Sequence, residues 1–176
     1  MPYVPPPAAA GGSPGKTSIV AQSVMSGTIT PTAMGTYTIP ANTAIAGTSY
    51  QIMASGTIDN TAASPTFNFA LRLAGTTIAT VIIASITAAS TVKSFTIIGL
   101  LTFRTIGSTG TVVGSLAVLN EAAGTIVGAV NIDSPALTKA ANTTVGLALD
   151  SVSFLGAATA GNIVRTEVAV IELVKT

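Results

Sequence analysis

The chain has 176 residues, room for one domain with a sizeable core plus an appendage, and 48% of them are hydrophobic. Only 7% are charged, against roughly 25% in an average soluble domain, and seven Lys and Arg nearly balance six Asp and Glu. The charges stand singly, which excludes a nucleic-acid-binding stripe, and the lack of His and Cys excludes thiol chemistry, disulfides and zinc sites.

Residues 1–15 form a compositional unit of their own. Pro2, Pro5, Pro6, Pro7 and Pro14, with alanines and Gly11-Gly12 between them, cannot hold a helix or a central strand. They read as an extended polyproline-II arm followed by a small-residue hinge. Such an arm cannot offset its own ordering entropy, so it is expected to dock on a neighbouring surface through Pro2, Tyr3, Val4, Pro5, Pro6 and Pro7.

From residue 16 to 176 the chain reads as one all-β domain, rich in Thr, Val and Ile and punctuated by Gly and Asn. Strands are expected at 18–24 and 36–39. Over 49–58, Tyr50, Ile52, Ala54 and Ile58 share one face, with Gln51 and Ser55 opposite. Over 66–73, Phe67, Phe69, Leu71 and Leu73 point inward, and Asn68 and Arg72 outward. A strand at 76–84 follows. The stretch 93–106 is apolar on both sides through Ile97, Ile98, Leu100 and Leu101, as in a strand covered on both faces. Further strands are expected at 111–119, 143–153 and 163–174.

Turn signals separate these strands, among them Asp59-Asn60, Ala74-Gly75 and Gly161-Asn162. About eight to ten short strands at this spacing argue for an antiparallel two-sheet sandwich. So few charges leave little to guard its edges and outer faces, which favours cover by copies of itself or by a larger assembly.

No motif carries catalysis. Ala10-Gly-Gly-Ser-Pro-Gly-Lys16-Thr17 formally matches a relaxed phosphate-binding loop, but prolines precede it and a strand is expected where the helix should begin. Glu167 and Glu172 fall on opposite faces of the last strand, unlike a glycosidase pair, and Arg165 shares a face with Glu167 as an outward ion pair. Asp59, Asp133 and Asp150 adjoin turns or strand ends without calcium-loop spacing. Neither a catalytic residue, a metal nor a cofactor is expected.

Mean hydropathy is +0.69. Yet the uncharged interval from Arg72 to Lys93 is broken by Gly75 and laced with Thr and Ser, and aromatics at 5% are too few for barrel girdles. Membrane insertion is not expected, nor is a signal peptide.

Three stretches resemble small virion structural proteins of tailed bacteriophages. They are residues 37–56, beginning Tyr37-Thr-Ile-Pro-Ala-Asn42; residues 60–75, including Phe67-Asn-Phe-Ala-Leu-Arg-Leu73; and Leu101-Thr-Phe-Arg-Thr-Ile-Gly107 with its Gly-rich turn to Gly110. The resemblance spans about residues 35–119, with a looser echo at 164–174. Ala74-Gly75 stands where such proteins often show Gly-Gly. The resemblance implies a trimeric jelly-roll of the kind used for capsid decoration proteins, head fibres and tail-fibre tips. It implies a non-enzymatic role on the particle surface, with further copies, the major capsid protein or other virion subunits as partners. Decoration is the preferred expectation. A tail-fibre or baseplate tip that binds a host surface ligand is the alternative.

Overall fold

The computed structural model describes residues 17–18, 23–60, 66–83, 89–120 and 138–175. The expected assembly arm, Pro2 to Pro7, lies outside them. The strands are β1 (Thr17–Ser18), β2 (Ser23–Ser26), β3 (Thr32–Ile39), β4 (Ser49–Asn60), β5 (Phe67–Leu73) and β6 (Thr76–Ile83). They continue with β7 (Ala89–Thr105), β8 (Thr111–Asn120), β9 (Lys139–Ala140), β10 (Leu147–Leu155) and β11 (Asn162–Lys175).

The chain folds back on itself as a set of nested antiparallel pairs. β5 pairs with β6, β4 with β7, β3 with β10 and β2 with β11. Lateral pairing of β11 with β4 and of β10 with β5 then assembles two sheets. One is seven-stranded, in the order β1-β11-β4-β7-β8-β9 with β2 also on β11; the other is four-stranded, β3-β10-β5-β6. This wrapping is the jelly-roll, with β8 and β9 added beside β7. The all-β, two-sheet expectation is met. Alternation alone had left the strand order open.

The inner faces follow the period-2 pattern of the sequence. Phe67, Phe69, Leu71, Phe95, Ile97, Leu101 and Phe103 are all buried between the sheets. Phe69 stacks on Phe95 with centroids 5.1 Å apart, joining the two layers at the centre. At Gly114 the layers come close, since a Cβ there would stand 2.7 Å from Ile78 Cγ2 and 3.2 Å from Leu71 Cδ2. The four-stranded sheet presses its side chains onto bare backbone at that point. The Ala74-Gly75 connection between β5 and β6 is a two-residue hairpin with φ of 47° and 79°, the left-handed geometry that such turns need.

One expectation is qualified and two are corrected. Asn68 projects to the outer side of its sheet but is only 6% exposed, flanked across the strands by Ile82 and Phe154. The expected strand at 143–153 begins later, at Leu147, because Thr143 is engaged in loop hydrogen bonds. Asp150 is not at a strand end: it lies within β10, opposite Thr36 on one side and Arg72 on the other.

Candidate functional site

β7 carries apolar side chains on both faces, and the described residues cover only one of them. Ile97 is fully buried, whereas Ile98 is 39% and Leu100 43% exposed; on the same outer face Met53 is 45% and Val168 48% exposed. The strand expected to be covered twice is therefore open on its outer side.

Register places these residues in rows across four strands. Val170, Met53, Ile98 and Ala117 form one row over β11, β4, β7 and β8. Val168, Ser55, Thr96 and Leu119 form the next on one side; Glu172, Gln51, Leu100 and Ser115 form the next on the other. Between the first two rows lies an open groove of about 250 Å³, lined by Met53, Ala54, Ser55, Thr96, Val168 and Val170. The groove has a local cause. A bulge between Thr166 and Val168 inserts Glu167 into β11, and the small Ser55 and Thr96 leave the floor low beside Val168.

Charge is confined to the margins of this band. Arg165 lies 4.0 Å from Asp59 toward one end, so the carboxylate across the strand pair shares the cation that was assigned to Glu167 from sequence. Glu172 belongs to the last apolar row, and Arg104 is exposed at the end of β7.

One end of the sandwich is a braced loop cluster. The Asn42 amide donates to the Thr143 carbonyl at 2.8 Å, the Thr143 amide to the Gly107 carbonyl at 3.0 Å, and the Gly107 amide to Thr143 Oγ1 at 2.7 Å. The Ala141 amide donates to the Gly110 carbonyl at 2.7 Å. Ile45, Ile106 and Val145 project from these loops into solvent. Thr143 was missed as a bracing residue because a Thr before a Val-Gly-Leu run reads as strand.

The remaining candidates stay apart. Thr17, at the end of the phosphate-loop match, belongs to β1 and pairs with Ile171, while residues 10–16 lie outside the described residues, as does Asp133. Among the described residues no group of three or more His, Cys, Asp or Glu could hold a metal ion. Nor are aromatic side chains gathered on an outer face. Tyr50 is buried, with its ring 5.8 Å from Tyr37 and 6.5 Å from Phe103, and burial, with Tyr37 beside it, pushes its hydroxyl pKa from 10.0 up to about 12.

The fold defines an all-β jelly-roll sandwich, and the comparisons with known proteins add little to that class. No family model matches the chain, and no curated protein matches it. Among solved structures, it is similar to one described as the EclA C-terminal domain, a sugar-binding protein, at 12% identity and a TM-score of 0.34. That likeness covers 97% of this chain and 89% of the other.

Proposed function

We propose that this chain is a non-enzymatic structural protein of a bacteriophage particle, a trimeric decoration protein that clamps the capsid shell. The observation that carries the reading is the apolar outer face around Met53, Ile98 and Leu100, in a chain with only 7% charged residues. A protein that worked alone in water would gain nothing from keeping that face apolar. On a particle, subunits cover such faces, and burial of apolar area supplies the stabilisation. The arm, Pro2 to Pro7, then reaches the capsid lattice or a neighbouring subunit, while the sandwich packs among copies of itself.

A tail-fibre or baseplate tip is the second reading, favoured by the braced loops around Thr143, since a rigid loop cluster is what ligand recognition needs. Quantitative gel densitometry of purified particles separates the two. Hundreds of copies per particle support decoration, provided that stripping the protein also lowers the shell's resistance to bursting. A handful of copies moves the chain to the tail, and its absence from particles overturns both readings.

A further inference from the structure

The four-stranded part of the seven-stranded sheet formed by β11, β4, β7 and β8 has the dimensions of an interface. Four strands spaced about 4.8 Å apart, each roughly ten residues long at about 3.4 Å per residue, present about 19 Å by 34 Å, or ~650 Å². A standard protein–protein contact takes about 800 Å² from each partner, so the face with its rim is of that order. Its anatomy also fits. Met53, Ile98, Leu100, Val168 and Val170 make an apolar centre, and Thr, Ser and Gln make a polar border.

We infer that this face is where copies of the chain meet, three faces turned toward a common three-fold axis. The number three is that of the trimeric reading above, and the width of the face accommodates it. A triangular prism with sides of about 19 Å has its walls about 5.5 Å from the axis, close to half of the ~10 Å at which stacked sheets pack. In that arrangement Met53 and Ile98, on the two central strands, point at the axis. The β11 border of one copy meets the β8 border of the next. The second cover that β7 lacks among the described residues of one chain is then the β7 of two other chains.

The inference rests on the trimeric reading given above, and two measurements on the full chain separate their failures. The first is mass by light scattering, for the natural chain and for Met53→Glu, Ile98→Glu and Ile82→Glu. Ile82 is 56% exposed on the four-stranded sheet and serves as the control. The natural chain and the Ile82 variant are expected at three chain masses. Met53→Glu and Ile98→Glu are expected to fall threefold, to one, with the β-sheet circular dichroism unchanged.

The second measurement introduces Val170→Cys and Ala117→Cys, which share a row, together into a chain that has no other cysteine. Within one chain these positions are three strand spacings apart, about 14 Å, beyond the ~7 Å limit of a disulfide. A band at three chain masses under oxidising, denaturing conditions supports the packing. If the natural chain is a monomer or a dimer, both the trimer and this face are overturned. A trimer that survives Met53→Glu and Ile98→Glu and forms no disulfide overturns the face alone. Loss of the trimer in Ile82→Glu with retention in Met53→Glu moves the contact to the other sheet.

Discussion

Two faces of one sheet carry almost the same side chains and meet opposite fates. Ile97 and Ile98 are adjacent on β7, as Ile52 and Met53 are on β4, and in each pair the first is buried and the second exposed. The inner member meets the four-stranded sheet. The outer member meets no second layer among the described residues of its own chain. Residue type on a strand therefore reports whether a face needs cover, while the fold decides how much of that cover the chain supplies itself. The four-stranded sheet shows the other solution. On its outer side Ala70 and Val152 are buried within a single chain.

The contrast can be broken by deleting equal amounts of side chain from each face. Ile97→Ala is expected to cost about 2–5 kcal/mol, because the cavity it leaves between two closely packed layers cannot collapse. Denaturant unfolding at a dilution that separates the chains would read this directly. Gly114→Ala comes next, at about 1–3 kcal/mol, since the added methyl would displace Ile78 and Leu71. The same unfolding curves measure it, and a neutral result would mean that the layers can part at that point.

Tyr50 adds a pH dependence to the inner face. Its folded pKa of about 12 lies above the ordinary 10.0, so the neutral phenol is the form that the fold favours. That contribution is complete below pH 10 and is lost as pH rises toward 12. Tyr50→Phe is expected to flatten stability across this window, and an unchanged alkaline slope would assign the loss to other groups. The smallest effect belongs to the outer face. Ile98→Ser should leave the stability of the separated chain within about 0.5 kcal/mol. Any larger penalty should appear only as protein concentration is raised, where association contributes to the apparent stability.

Much of this fold is legible in the amino-acid sequence. The alternation in Phe67–Leu73 names its buried side correctly, and the same period gives the buried residues of β4 and β7. A period of two does not name partners, however, so the pairing of β2 with β11 could not be read from either strand. Bulges were also hidden. The register shift at Glu167 arises from pairing against β4, where Gly56 lies opposite Thr166, and nothing in β11 alone announces it. The burial of Asn68 was hidden for a related reason: its direction follows the alternation, but its burial depends on neighbours from two other strands. As for the site, the double apolar character of β7 was visible in Ile97 to Leu101. The side left open was not, because that depends on which sheet lies across from it.

The place of β11 has a consequence in time. Of the described strands it is the last to leave the ribosome, and it lies inside the seven-stranded sheet, bonded to β4 on one side and to β1 and β2 on the other. At about 5–20 residues per second, β2 waits roughly 7–27 seconds after its synthesis for the strand it pairs with. During that interval β4 is unpaired on one edge, and the inner faces of a half-built sandwich stand open to other nascent chains. Folding of this topology is then a late, nearly all-at-once event rather than a progressive one. A nascent chain arrested before Asn162 should accordingly remain sensitive to protease along its whole length.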